Sequence, residues 1–384
     1  MTIYLLIMFF LLAAYIFQDV TAKTVKVDNS IKYQQGPVAN ILFYLEGIVI
    51  VLLIGMRGNT GTDTPNYARY YNLGAYPIDT EHYYINVSNF FHTLGVSFET
   101  FELIWALLTM IPIYIVIRCL SKNYVFSMLS LYLLTIPFYA FNIARQMFAV
   151  SILTLVMLLI IHILKRKLLT ISGMLNLIGI FILSTSAMGI HKSSKIGLFL
   201  IFVTIVLYFV LNRWPKLLMV IGLISIVVSV VTYFSSGLTA NIVLNLVQLS
   251  GSDYFSYVSL GQTKSYNSSV LTLGLTILRV LVLFTPYVRS YHKQNITNKF
   301  LIAAYAVSTT MLAIQASWIS DRIAIFFVVV PVILFPNMIF EPIVQKPKNL
   351  FVQLYFPTLI FLILFITFFR TVLQNFNEII PYGV

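Results

Sequence analysis

The sequence predicts an all-α fold that crosses a membrane about twelve times, and three observations point to it. The chain is 59% hydrophobic and only 9% charged, whereas an ordinary soluble chain is roughly a quarter charged. Its mean hydropathy is +0.92. Apolar runs of about 17–25 residues recur from end to end, each long enough to cross a hydrocarbon core of roughly 30 Å. One transmembrane domain over residues 1–384 is the simplest organisation.

The first run, 2–17, has no basic residue ahead of it and no clear small-x-small cleavage site. It therefore reads as a retained helix and not as a signal peptide. Further spans are expected at 38–55, 101–118, 123–140, 145–164 and 169–187. A second set follows at 194–211, 216–234, 268–289, 299–315, 321–339 and 351–371. The joins within 101–140 and within 299–339 are tight, so the count is most open there.

Loop charges orient the spans. Fifteen of the 24 lysines and arginines fall in one set of loops and eight in the other, with Arg279 inside a helix. Basic residues accumulate in cytoplasmic loops, which puts the first set inside and both termini outside. The net charge of +12 has the same origin and gives no reason to expect a nucleic-acid partner. The inner loops are short, as in Leu164-Lys165-Arg166-Lys167. Two long extracytoplasmic loops, 56–100 and 235–267, fall outside, and long loops are disproportionately functional.

The first long loop opens on Arg57-Gly58-Asn59-Thr60-Gly61-Thr62-Asp63-Thr64-Pro65-Asn66-Tyr67. Its glycines, proline, Asx and Thr residues suit a tight turn whose amides and hydroxyls can converge on an anion. Arg57 would stand at the depth of lipid phosphates, either binding an anion or merely snorkelling. No Gly-Lys-Ser/Thr follows, so this is not a P-loop. Farther on, Tyr84, Val87, Phe91 and Leu94 share one face of an interfacial amphipathic helix. Asp79, Glu81 and His82 stand at its start, where they serve either to cap the helix or in catalysis. The second loop repeats the plan with Ile242, Leu246 and Leu249 on one face, followed by Asp253, Tyr254, Phe255, Tyr257 and Tyr266. Such aromatics stack on sugars, but they also form the interfacial belt of any membrane protein.

Three short stretches add charge on the same side: Asn142-Ile143-Ala144-Arg145-Gln146, His191-Lys192-Ser193-Ser194-Lys195 and Asp321-Arg322. Single arginines at helix ends often act only as anchors. Several that run against the inside bias could together bind one anionic substrate. Glu46 and Arg279 lie near mid-helix, where a lone charge costs several kcal/mol, so a partner or a wet cavity is expected for each. Cys119 is the single cysteine, which excludes an intrachain disulfide. His162 and His292 show no metal spacing, and no bound metal or cofactor is expected.

The string from Arg57 to Tyr67 resembles the signature of the EpsG family, which are Wzy-like polymerases of bacterial exopolysaccharide and capsule. The resemblance continues through Glu81, Asn142 with Arg145-Gln146 and Ala149, His191-Lys192-Ser193, and Arg322 ahead of an apolar aromatic helix. His82 departs from the family, which often has proline there. The resemblance implies a glycosyltransferase in the bacterial cytoplasmic membrane, acting on its outer face. It would join polyprenyl-diphosphate-linked oligosaccharides as donor and acceptor, among membrane lipids and alongside other polysaccharide export and assembly proteins. Arg57, Arg145 and Arg322, supported by His191 and Lys192, would stabilise the diphosphate leaving group, with Tyr67, Gln146 and Asp321 as further substrate contacts. Asp63, Glu81 or Asp321 would take the proton of the acceptor hydroxyl. A flippase for lipid-linked sugars, a non-catalytic assembly component and a glycan acyltransferase are the alternatives. The first should show internal repeats and a central charged cavity, and the last has no nucleophile motif to support it.

Overall fold

The computed structural model describes residues 1–21, 23–27, 30–78, 80–166, 170–235, 269–314, 322–340, 350–375 and 378–383. Among them, seven helices are long and apolar enough to cross a membrane. These are α2 (Pro37–Gly55), α5 (Phe98–Leu120), α8 (Ala144–Lys165), α9 (Ile171–Ile190), α10 (Ser194–Arg213), α11 (Leu217–Phe234) and the part Tyr355–Leu373 of the last helix. An eighth span results if α6 (Tyr124–Leu133) and α7 (Ile136–Asn142) count as one broken helix, bent by 48°. This is a multi-pass membrane protein.

Of the twelve expected spans, seven or eight satisfy length and hydropathy among the described residues. The run at 2–17 forms α1 (Thr2–Thr21), whose stretch Thr2–Gln18 is an apolar helix. The run at 268–289 breaks into α12 (Val270–Leu281), a 3-10 turn at Val282–Phe284 and α13 (Pro286–Arg289). Pro286 cannot donate to the preceding turn, so the helix restarts there. The run at 299–315 is α14 (Ile296–Ala313), which is helical but not among the seven. The run at 321–339, described from residue 322, is helical at 322–324 and passes through a 3-10 turn at Ile325–Phe327 before α15 (Val329–Phe340). The last helix, α16, spans Leu350–Leu373.

One departure from an all-α fold is a hairpin of two antiparallel strands, β1 (Lys23–Val27) and β2 (Ser30–Gln34), paired from Lys23↔Gln34 to Val27↔Ser30. Its β-branched Thr24, Val25, Val27 and Ile31 favour extended backbone. The first long loop is also more ordered than a turn and one helix. It holds α3 (Thr64–Leu73), started by Pro65 in its first turn and closed by left-handed Gly74, and then α4 (His82–Thr93). The second long loop lies outside the described residues from 236 to 268.

The chain divides into two compact units. The first contains Met1–Phe199, Val329–Pro357 and Leu364–Val384. In it α8 packs on α9 and α5, α5 on α2, and α6 on α1, α2 and α15. Helix starts are fixed locally by Ser97, Asn123 and Thr170, each accepting from a backbone N–H three residues on, as N-caps do. The α6–α7 break follows Thr135, held at φ 62°, with Pro137 opening the next helix. The second unit contains Leu200–Val328 and Thr358–Ile363. There α11 packs on α12 and α14, with the Thr232 hydroxyl donating to the Ala313 carbonyl at 3.0 Å.

Candidate functional site

Two charged groups lie in the first unit, joined by a wall of aromatic rings. The first is built on the turn after α2. Arg57 is 3% exposed and faces Glu102 of α5 at 2.7 Å, itself 5% exposed. Its Nη1 donates to the Ile54 carbonyl at 2.8 Å and its Nε to the Thr64 hydroxyl at 3.2 Å. The Thr64 hydroxyl in turn reaches the Thr60 and Phe141 carbonyls. Arg57 thus points into the protein and not, as expected, toward lipid phosphates, because Glu102 supplies a buried counter-charge. Burial pulls its guanidinium below the ordinary value, and the Glu102 carboxylate opposes that pull.

The same turn docks on the α7–α8 break. The Thr62 N–H donates to Asn142 Oδ1 at 2.7 Å. Gly61 sits at φ +100°, and a Cβ there would lie 2.7 Å from Asn142 Oδ1 and 2.9 Å from the Phe141 carbonyl oxygen. Only glycine fits both the backbone angle and the close approach. From the other side the C-terminal segment closes over the turn. Thr60 Oγ1 donates to the Pro381 carbonyl at 3.1 Å and accepts the Gly383 N–H at 2.8 Å, while the Tyr382 hydroxyl donates to the Leu53 carbonyl.

The second group centres on Glu81, the residue before α4. Its backbone is extended and its side chain does not cap the helix. Instead Oε2 accepts from Arg145 Nη1. Oε1 lies 2.7 Å from His191 Nδ1 and accepts the backbone N–H of Lys192 at 3.2 Å. Capping, one of the two readings open for Glu81, is therefore not its role. Burial alone would push this carboxyl up. The His191 hydrogen bond and the Arg145 charge outweigh burial and hold it down to about 2.

Local packing explains why three distant segments meet. Arg145 lies in the first turn of α8, where the helix dipole disfavours a cation and an adjacent carboxylate compensates. His191 and Lys192 directly follow the last turn of α9. α4 lies against α9 at Tyr83 and Gly189, where a Cβ on Gly189 would stand 2.3 Å from the Tyr83 ring. This contact, two residues from Glu81 and two from His191, sets their spacing. Trp105 of α5 donates to the Ala144 carbonyl at 3.3 Å, fixing the start of α8.

Between the two groups stand Tyr67 and Tyr84, with ring centroids 6.0 Å apart. The Arg145 guanidinium lies over both, at 5.8 and 5.5 Å from their centroids. Tyr84 packs edge-on against Trp105 and Phe101 of α5. Arg145 is the more open member of its ion pair, at 26% exposure. Its buried Nε, like the buried Ser193 Oγ, meets no hydrogen-bond partner among the described residues.

Of the residues singled out in the sequence, the fold brings together Glu81, Arg145, His191, Lys192 and Tyr67, with Gln146 buried beside Arg145. Asp63 stands half-buried at the start of α3. Arg322 is half-buried in the second unit, while Asp79 and Asp321 lie outside the described residues. Among the described residues no donor reaches the buried Glu46 carboxylate, so the partner expected for it is not found there. Glu102 and Trp105 were not legible as site residues, although an acid inside an apolar span is itself a signal. No three His, Cys, Asp or Glu side chains gather as a metal site among the described residues.

Comparison with known families matches residues 40–384 to the model described as the EpsG family. No curated protein and no solved structure matches.

Proposed function

The chain belongs to the EpsG family, and on that premise we propose that it is a polysaccharide polymerase. In this reading it is a glycosyltransferase that joins polyprenyl-diphosphate-linked oligosaccharide repeat units, in exopolysaccharide or capsule assembly. It works on the outer face of the bacterial cytoplasmic membrane, with both termini on that side, as the loop charges suggest.

The observation that carries the reading is the convergence of Arg145, Lys192, His191 and Glu81 from three separate segments. An acceptor hydroxyl attacks the anomeric carbon of the donor, the bond to the diphosphate oxygen breaks, and the diphosphate leaves with the electron pair. That step needs cations where negative charge grows and a base for the hydroxyl proton. Arg145 offers a guanidinium only partly used by Glu81, with a buried Nε that has no acceptor among the described residues. Lys192 is exposed beside it. Tyr67 and Tyr84 flank the guanidinium and offer ring faces to sugars. Gln146 and Asp321 are further substrate contacts in this reading, and Arg322 is a second cation. Asp63 and Asp321 stay as alternative carboxylates to Glu81. Arg57 acts through the turn it braces.

The test is reconstitution of the full-length protein in proteoliposomes with lipid-linked repeat units isolated from the producing cells. Wild type is expected to give a ladder of lengthened glycans. Arg145→Ala should lose at least about 100-fold in rate, as removal of a charge-stabilising donor does. No ladder from wild type, or a full-rate ladder from Arg145→Ala, refutes the proposal.

A further inference from the structure

Resting on the polymerase reading, we propose that the proton of the attacking hydroxyl passes to His191 Nε2, and that Glu81 is a positioning residue that fixes the ring through Nδ1. Both Glu81 oxygens are already engaged. Oε2 holds Arg145, while Oε1 meets His191 Nδ1 at 2.7 Å and the Lys192 N–H at 3.2 Å. A carboxylate with its lone pairs shared among a guanidinium, an imidazole and an amide is a poor proton acceptor for a fourth group.

The contact also decides the histidine tautomer. An ionised carboxylate only accepts hydrogen bonds, so Nδ1 carries the hydrogen. In the neutral ring the free lone pair is then on Nε2. Nε2 makes no hydrogen bond among the described residues, and the side chain is 16% exposed. The ring is anchored at its backbone, where the His191 N–H donates to the Ala187 carbonyl at 3.0 Å and its carbonyl accepts from Ser194 at 3.0 Å. A carboxylate that orients an imidazole and faces the imidazolium it becomes is the division of labour in acid–histidine pairs on unrelated folds.

The step balances without any further reactant. The acceptor O–H bond breaks and its proton goes to Nε2, the oxygen bonds to the anomeric carbon, and the diphosphate departs with the electrons of the broken C–O bond. The imidazolium then faces Glu81, and Arg145 is positioned to counter charge on the leaving group. His191 returns its proton to water or to the diphosphate before the next turnover.

The experiment combines a spectrum that needs no ligand with a rate. Full-length protein labelled with ¹⁵N-histidine in detergent micelles gives two-bond ¹H–¹⁵N correlations that report each ring's tautomer. His191 is identified by the signal lost in His191→Gln. The expected result is the Nδ1–H tautomer in wild type and a mixture in Glu81→Gln. With the isolated lipid-linked repeat unit as substrate, His191→Gln should slow ladder formation at least about 100-fold, the scale of a lost general base. Glu81→Gln should slow it about tenfold or more with little change in KM, and Glu81→Asp should restore part of that loss together with the tautomer. A His191 ring found as Nε2–H in wild type overturns the proposal. So does a His191→Gln protein that keeps more than a tenth of the rate while wild type makes a ladder. A wild type that makes no ladder at all instead refutes the polymerase reading beneath it.

Discussion

Replacing Glu102 by glutamine removes one charge, with almost no change of shape, from the brace under the signature turn. Arg57 would be left as a cation 3% exposed, with its Nη1 on Ile54 and its Nε on Thr64 but nothing to neutralise it. Breaking a buried ion pair from one side costs about 3–5 kcal/mol. The low end, about 3 kcal/mol, applies here because the Thr64 hydroxyl and the Ile54 carbonyl still accept from the guanidinium. Removing both partners is different, because a well-packed apolar pair in place of a buried ion pair is often close to neutral. The double variant Arg57→Met/Glu102→Met should therefore recover most of the loss. Thr64→Val, which removes a hydroxyl that accepts from the same cation, should cost about 1.5–3 kcal/mol. Reversible unfolding of the full-length protein in mixed detergent micelles reads all four stabilities on one scale. A Glu102→Gln protein within about 1 kcal/mol of wild type would show that Glu102 does not neutralise Arg57. A double variant no more stable than Glu102→Gln would show the same.

Three further predictions follow from the site geometry. Glu81 lies below its ordinary value of 4.5, at about 2, so its contribution is fully present above pH 4.5 and is lost as pH falls toward 2. The shift corresponds to roughly 3 kcal/mol. A carboxyl ¹³C titration in glutamate-labelled protein should show one midpoint well below the others and missing from Glu81→Gln, and a Glu81 midpoint near 4.5 would contradict the ion pair. Gly61→Ala forces both a left-handed backbone and a 2.7 Å approach to Asn142 Oδ1. It should destabilise by about 2–4 kcal/mol, against about 1 kcal/mol for Asn142→Ala, and equal losses in thermal unfolding would show that the close approach does not matter. Gly189→Ala drives a Cβ into the Tyr83 ring and shifts α4 along α9. Ladder formation should fall several-fold and return in Gly189→Ala/Tyr83→Ala, so a double variant no better than the single would remove this contact from the account.

The long apolar runs were legible because hydropathy and length together define a span. Thus 38–55 became Pro37–Gly55, and 145–164 became Ala144–Lys165. Breaks inside such runs were not, because composition barely changes across them. Thr135 turns left-handed in the middle of an apolar stretch, and only Pro137 nearby marks the place. The runs at 268–289 and 321–339 hide their breaks in the same way, since 3-10 turns at Val282–Phe284 and Ile325–Phe327 are made of ordinary core residues. Charge was informative where it ran against the inside bias. Arg145, His191 and Lys192 stood out for that reason, and the fold brings all three to Glu81. Charge misled at Arg57, where an arginine at a span end has two fates, lipid surface or buried partner. The choice depends on Glu102, 45 residues on, and local pattern does not pair residues that far apart.

Whether Arg145 and its neighbours serve glycosyl transfer from a lipid diphosphate can be read from reaction stoichiometry in proteoliposomes. Polyprenyl diphosphate released is counted against repeat units joined, using lipid-linked repeat units carrying ³²P in the diphosphate. One diphosphate lipid should be released for each linkage formed. The rate should be at least about 100-fold lower in Arg145→Ala protein that remains folded. Repeat units that cross the bilayer without release of diphosphate lipid, or release undiminished in Arg145→Ala, would contradict that role.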